Sequence, residues 1–137
     1  MGKYYYNIGN FYKRRKVKPM FINFTNHASS MWSDYQIQEA AKYGEIVDIP
    51  FPAVEPDWSK EMIQSTADKY IEQIASKKPD CVLCQGEFCL SFAVIKGLKA
   101  RGLKVVAACS KRDVEEISTL KDTKKISRFV FVQFREY

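Results

Sequence analysis

Short apolar runs alternate with amphipathic segments along this chain, and that alternation constrains the fold more than any other feature. Four short strands are predicted at residues 20–24, 45–49, 81–84 and 104–109. Apolar residues recur at helical spacing between most of these runs. Strands and helices that alternate in this way predict a parallel sheet with helices on both of its faces. The fold class is therefore α/β, a Rossmann-like three-layer sandwich.

Helix boundaries are marked by capping residues. Ser33 is predicted to cap the first helix, with Gln36 at the capping-box position, and the helix should end at Gly44. Two longer helices are predicted at about 59–77 and about 88–101. The second of these is apolar nearly all round as far as Ile95, which predicts burial on two sides.

The end of the chain is predicted to be a short helix followed by a strand. Ser110 should cap the helix, which carries Val114 and Ile117, and the strand should cover about 125–134 at an edge of the sheet, antiparallel to its neighbour. The commonest small strand order, 2-1-3-4, makes the crossovers right-handed and leaves a switch point between strands 1 and 3. We divide the chain into a basic aromatic N-terminal extension, 1–19, and an α/β domain, 20–137.

The net charge of +6 comes from the extension. Residues 1–19 hold six of the 22 basic residues and no acidic one, so the remainder has 16 basic against 16 acidic residues. Five aromatic residues accompany those charges, which suits stacking on single-stranded nucleic acid. A segment that packs on the body or on a partner is the favoured alternative, and a duplex partner is not expected. No apolar run approaches a bilayer span and no secretory signal is evident, so we expect a cytoplasmic protein without membrane contacts.

The cysteines do not predict a metal or redox site. Cys81 and Cys84 have C-x-x-C spacing, but they lie within a strand, where residues three apart point to opposite faces. A redox pair needs its first sulfur at a helix N-terminus, and zinc needs a second ligand pair. We expect buried, reduced thiols and no metal.

Ligands of open α/β sheets bind beyond the carboxyl ends of the strands, near the switch point. The polar residues that follow strands 1, 3 and 4 are therefore the candidate site: Asn26, His27, Ser29, Ser30, Gln85, Gly86, Glu87, Lys111 and Arg112. Histidine is the usual acid or base of metal-independent sites, so His27 is a candidate acid or base, or else a hydrogen-bonding residue of its loop. Glu87 is a candidate base or ribose ligand, or else a carboxylate favoured by a helix N-terminus.

The remaining candidates also have two interpretations each. Ser29 and Ser30 suit a phosphate cradle or an ordinary turn, and Gly86 suits close approach of a ligand or a backbone requirement. Lys111 and Arg112, at the start of the predicted helix, suit an anion or a solvated charge pair. No dinucleotide fingerprint, P-loop or nucleophile elbow is present. We therefore expect no cofactor, and metal-independent chemistry if the protein is an enzyme.

The loops FTNHASS, QGEF and SKR at strand ends, together with the small size and four β-α units, resemble a known group of proteins. Residues 20–137 look like the small stand-alone Rossmann-like proteins associated with CRISPR systems. These are relatives of the ring nucleases, which bind and cleave cyclic oligoadenylate messengers. The resemblance implies a homodimer whose paired strand-end loops form one symmetric pocket, and metal-independent phosphodiester cleavage in antiviral defence.

Carried over by position, the resemblance implies roles for the loop residues. Asn26, His27 and Ser29 would lie beside the ligand, with Gln85, Gly86 and Glu87 beneath it. Lys111 or Arg112 would bind phosphates.

Three alternatives remain open at this stage. One is a nucleoside or nucleotide glycosyl transferase or hydrolase in which Glu87 acts at the ribose anomeric carbon. The second is a non-catalytic dimeric sensor with the apolar helix 88–101 as its dimer face. The third is a scaffold protein with an empty pocket.

Overall fold

The computed structural model describes residues 18–137, so the extension predicted at 1–19 lies almost wholly outside the described residues. The strands are β1 Met20–Thr25, β2 Glu45–Asp48, β3 Cys81–Gln85, β4 Val105–Ser118 and β5 Thr123–Glu136. The helices are α1 Asp34–Ala41, α2 Lys60–Ser76 and α3 Phe88–Ala100, and a single 3-10 turn covers Ser29–Met31.

These strands form one sheet in the order β2-β1-β3-β4-β5. The first four are parallel, and β5 pairs antiparallel with β4 at the edge. The predicted α/β class, the order 2-1-3-4 and the antiparallel edge strand are confirmed. Thr25 at the end of β1 pairs with Gln85 at the end of β3, so the loops that follow these strands leave the same edge of the sheet.

Alternate residues of the central strands face opposite sides of the sheet and build two separate cores. On one side α2 and α3 cover Ile22, Phe24, Val82, Cys84 and Val105. On the other side α1 and the segments around it cover Phe21, Cys81, Leu83 and Val106. Because both faces of β1 and β3 are buried, the sequence of each strand is a continuous apolar run.

Two serines cap helix starts, and Ser33 is the one that the sequence predicted. The Ser33 hydroxyl accepts a hydrogen bond from the Gln36 amide at 3.2 Å, and the Ser59 hydroxyl accepts one from the Met62 amide at 3.1 Å. Each bond satisfies one of the amides that a helix N-terminus leaves without an intrahelical partner. No helix within residues 18–137 has both the length and the apolar character that crossing a membrane requires.

The short helix predicted from Ser110 is wrong. β4 continues to Ser118 and pairs residue by residue with β5, from Ser110–Phe131 to Ser118–Thr123. Val114 and Ile117 are three apart, which fits a helix locally. Cross-strand pairing with the aromatic and β-branched residues of β5 outweighs that local preference, because sheet stability depends on such pairs.

The predicted burial of α3 on two sides holds for the sheet and α2, but the apolar residues Phe88 and Phe92 are not buried. Phe88 is 89% exposed and Phe92 is 68% exposed, whereas Leu90, Val94 and Leu98 are fully buried. One face of α3 packs on the sheet, and Gly97 approaches α2 so closely that a Cβ there would lie 2.2 Å from Ile71. Within the described residues nothing covers the opposite face.

Candidate functional site

A pocket opens at the edge where β1 and β3 end. Its volume is about 760 Å³, within the range typical of small-molecule sites. Four of the predicted residues line it: Asn26, His27, Gln85 and Gly86. The other described residues that line it come from β1, β3, α1 with the turn before it, and the β4–β5 hairpin: Thr25, Met31, Trp32, Ser33, Gln36, Leu83, Ala108, Ser110, Arg128, Phe129, Val130 and Phe131.

The loop that carries His27 is held by Asn23, a polar residue buried in β1 and only 1% exposed. The Asn23 side-chain amide donates to the His27 carbonyl at 2.8 Å and to the Asp48 carboxylate at 2.9 Å. Its oxygen accepts from the Thr25 hydroxyl at 2.8 Å, and that hydroxyl also accepts from the His27 amide at 3.1 Å. The backbone at His27 is therefore fixed, while its side chain lies in an exposed stretch at the pocket.

The Gln85 side chain links β3 to β4 where the backbone pairing of these two strands ends. The two strands pair only at Val82–Val105 and Leu83–Val106. Beyond that point the Gln85 side-chain oxygen accepts from the Ala108 amide at 2.7 Å, in place of a ladder bond. Gln85 therefore has a structural role in the floor of the pocket.

Gly86 is required by packing. A Cβ at this position would lie 2.5 Å from the Phe51 ring, which stacks in turn on Phe24 with ring centroids 4.8 Å apart. Any larger side chain would displace Phe51 or the pocket floor.

The loop serine Ser29 is bound to Asp48. The Ser29 amide and hydroxyl both donate to the Asp48 carboxylate, at 3.1 Å each. Neither Ser29 nor Ser30 is among the described residues that line the pocket. A carboxylate bound to Ser29 disfavours a phosphate at the same donors, because the two anions repel each other.

Glu87 caps α3. Its carboxylate accepts the Leu90 amide at 2.7 Å, and Glu87 does not line the pocket among the described residues. The helix-capping interpretation of Glu87 therefore has direct geometric support, whereas a role at a ligand is a prediction that no contact tests.

Lys111 and Arg112 lie on β4 and not at a helix start, which corrects their predicted setting. Consecutive strand residues face opposite sides, so the two cations are separated. Arg112 pairs with Phe129, a residue of the pocket wall, and its Nε donates to the Ser127 hydroxyl at 2.9 Å. Phe131 packs on Tyr35 and Phe134 on the α1 side of the sheet, and Phe129, two residues before it, shares that side with its partner Arg112. Lys111 alternates to the other side, although its partner Val130 also borders the pocket.

Several site residues could not be found from sequence reasoning. Trp32 and Gln36 reach the pocket through α1 and the turn before it, and Phe129 reaches it only because β4 and β5 form a hairpin. Asn23 did carry a signal, since an amide in the middle of the apolar run MFINF has to find buried partners.

The predicted burial of Cys81 and Cys84 is confirmed. Cys81 and Cys84 are free thiols fully buried on opposite sides of the sheet. Burial raises the pKa of each thiol to about 12. These sulfurs are therefore protonated and unreactive at neutral pH.

A second cavity of about 1140 Å³ lies between α2 and α3. Its walls are mainly apolar and include Trp58, Phe88 and Phe92. Polar groups from several elements converge in the strand-end pocket instead, which makes that pocket the better candidate site.

Comparisons with curated proteins and with solved structures gave no match. One family model matches the chain, that of the family described as "Uncharacterized protein MJ1673 family", over residues 19–135. This match covers all the secondary-structure elements of the sheet and its helices except the last residue of β5. The chain therefore belongs to the uncharacterized MJ1673 family.

Proposed function

We propose that the strand-end pocket binds a nucleotide, and that its ligand is a cyclic oligoadenylate which the protein cleaves without a metal. One observation carries this proposal. A pocket with aromatic rings, amide side chains and the chain's single histidine lies at the switch point between β1 and β3, where open α/β sheets bind their ligands. The strand order is that of a Rossmann-like fold, which supports the same position.

Base recognition is supported by the walls of the pocket. Trp32 and Phe129 supply aromatic surface, and Asn26 and Gln36 supply amides that both donate and accept. Stacking of a base on an aromatic ring contributes about 1–3 kcal/mol. An amide that bonds the adenine edge adds specificity, since Asn and Gln match the paired donor and acceptor of that base.

The proposed cleavage uses the ligand's own ribose as nucleophile. The 2′-oxygen bonds to phosphorus as the bond from phosphorus to the 5′-oxygen breaks, which leaves a 2′,3′-cyclic phosphate. His27 accepts the proton of the 2′-hydroxyl, and the departing 5′-oxygen takes up a proton. Arg112, on the pocket side of β4, stabilises the charge that develops on the phosphate oxygens.

The test is a thermal-shift screen of cyclic and linear nucleotides, followed by chromatography of every ligand that raises the melting temperature. We expect cyclic oligoadenylates to raise it and to be converted to linear products in the presence of a chelator. If no nucleotide raises the melting temperature at millimolar concentration, the proposal is overturned.

His27→Ala separates binding from cleavage. We expect ligand affinity to change little and the cleavage rate to fall by roughly 10²–10⁴-fold, because a positioned acid–base group contributes about that much. Lys69→Ala, at an exposed position on α2, is the matched control and should cleave like the wild type. Unchanged turnover in His27→Ala would remove His27 from the mechanism.

The glycosyl-transfer alternative requires the Glu87 carboxylate to approach a ribose. One oxygen of that carboxylate accepts the Leu90 amide, so we give phosphodiester cleavage priority. Loss of a base-releasing activity in Glu87→Gln, with cleavage of phosphodiesters absent, would reverse that priority. A ligand that binds and is recovered intact would favour the non-catalytic sensor.

A further inference from the structure

Gln85, the last residue of β3, points its side chain to the side of the sheet that carries the pocket. Leu83 packs in the core under α1, and Cys84 packs in the core under α2 and α3. The next alternation along the strand places Gln85 on the α1 side with Leu83. Ala108 of β4 packs against the same α1-side core. Leu83, Gln85 and Ala108 all line the pocket, so the Gln85 amide lies in its floor.

The contact with Ala108 fixes the orientation of the Gln85 amide. A backbone N–H group can only donate, so the Gln85 atom that lies 2.7 Å from the Ala108 nitrogen has to be the side-chain oxygen. Rotating the amide by half a turn would bring two donors together and would leave the Ala108 amide without its acceptor. The amide is therefore held with its oxygen towards β4.

The nitrogen of the same amide is left with two hydrogens to donate. The Gln85 side chain has no hydrogen bond within residues 18–137 other than the one to Ala108. Among these residues the Ser91 hydroxyl is the sole buried side-chain polar atom without a partner. The Gln85 nitrogen is therefore not enclosed by protein. Because Gln85 is half-buried and lines the pocket, this nitrogen is accessible from the pocket.

Two other side-chain amides, those of Asn26 and Gln36, line the same pocket without this constraint. Gln36 bonds Ser33 only through its backbone amide, and neither side-chain amide is hydrogen-bonded within the described residues. Each can turn its oxygen or its nitrogen to a ligand. Gln85 differs from both, because it can offer a ligand only a donor.

We propose that the side-chain nitrogen of Gln85 donates a hydrogen bond to a ring nitrogen of adenine and thereby makes the pocket specific for a ligand with an acceptor at that point. This inference rests on the nucleotide binding proposed above. Ring nitrogens of adenine accept hydrogen bonds, whereas its amino group donates. A ligand that presents a donor to Gln85 is rejected, because two donors then face each other without an acceptor. Phosphate and ribose oxygens are also acceptors, and the test has to separate them from the base.

Two substitutions distinguish the two ends of the amide. Gln85→Glu retains an oxygen for the Ala108 amide and replaces the nitrogen by a second oxygen, whereas Gln85→Leu removes both groups. In the ligand-free protein we expect the Leu variant to melt several degrees lower than the Glu variant, since the Ala108 amide loses its acceptor. Equal melting temperatures of the two variants would show that the oxygen does not hold this amide, and would overturn the fixed orientation and the proposal.

Deaza analogues test the nitrogen directly. The probes are adenosine 5′-monophosphate and its 1-deaza, 3-deaza and 7-deaza analogues, each of which has a CH group in place of one ring nitrogen. We expect at least one analogue to bind the wild type about tenfold more weakly than the parent. Gln85→Glu should abolish the discrimination against that analogue. Repulsion between the introduced carboxylate and the phosphate affects both ligands alike, so it cancels from the ratio of their affinities.

Lys69→Glu, at an exposed position of α2, is the control and should discriminate like the wild type. Three analogues that bind as tightly as the parent, or a discrimination that survives in Gln85→Glu, would overturn the proposal and leave nucleotide binding in place. The donor would then meet a phosphate or ribose oxygen. A wild type that binds a cyclic oligoadenylate but not adenosine monophosphate at millimolar concentration would also overturn this proposal alone. If no nucleotide binds, the proposed function fails and this inference fails with it.

Discussion

The site geometry predicts that Asn23→Asp lowers the stability of the protein in a pH-dependent way. The side-chain nitrogen of Asn23 donates to the Asp48 carboxylate at 2.9 Å and to the His27 carbonyl at 2.8 Å. Aspartate replaces this donor with an oxygen that faces the Asp48 carboxylate within a buried strand. The chain loses two hydrogen bonds and gains a buried like-charge contact.

The expected loss of stability follows from these contacts. A hydrogen bond to a charged group contributes about 1.5–3 kcal/mol and a neutral one about 1 kcal/mol, so the bonds alone account for about 3 kcal/mol. Repulsion between the carboxylates adds to that figure at neutral pH. A loss of about 3 kcal/mol corresponds to a fall in melting temperature of roughly 10 °C for a chain of this size.

The loss should depend on pH. Burial and the Asp48 carboxylate raise the pKa of the introduced carboxyl above its value in the unfolded chain, so the folded variant binds more protons between the two pKa values. Its free energy of unfolding then falls as pH rises through that window, by about 1.4 kcal/mol per unit. At low pH the protonated carboxyl can donate to Asp48, and the variant approaches the wild type.

Urea unfolding at pH 5 and pH 7.5 measures both effects. Asn26→Asp, the same chemical change at an exposed position of the pocket, is the control and should shift stability by no more than about 0.5 kcal/mol at either pH. Equal losses at the two pH values, or a loss no larger than that of the control, would refute the reasoning.

Two further predictions concern the interior. In the native protein at pH 8, the exposed Cys89 should react with iodoacetamide. Cys81 and Cys84 are buried and have pKa values of about 12, so they should react only after unfolding. Mass spectrometry that finds either buried thiol labelled at the rate of Cys89 would contradict this prediction. Gly86→Ala should reduce stability by about 1–3 kcal/mol through overpacking on Phe51, and an unchanged melting temperature would show that the ring moves aside without cost.

Much of the sheet was predictable because its signals are local. The apolar runs of β1 and β3, the cap at Ser33 and the handedness of crossovers lead to the observed strand order. The misassigned segment after Ser110 was not predictable in this way. Its strand conformation depends on pairing with β5, and Val114 and Ile117 alone are compatible with a helix.

In the candidate site too, some features were predictable from local sequence and others depend on contacts between distant residues. Asn26, His27, Gln85 and Gly86 follow the two central strands, and their meeting at one edge required only the strand order. The network of Asn23 with Asp48 joins residues 25 apart, and no local pattern identifies that pairing. The roles of the neighbours of His27 were likewise set by contacts, since Asp48 occupies the donors of Ser29.

His27 is the chain's only histidine, which allows a direct test of nucleotide binding at the pocket. Its imidazole signals in a proton–nitrogen NMR spectrum can be followed while nucleotides are added, with no assignment ambiguity. We predict saturable shifts of these signals on addition of a cyclic oligoadenylate, and loss of those shifts when Phe129 is replaced by Ser. Ring signals that stay unchanged while the ligand binds elsewhere, or an absence of binding by every nucleotide tested, would contradict the account.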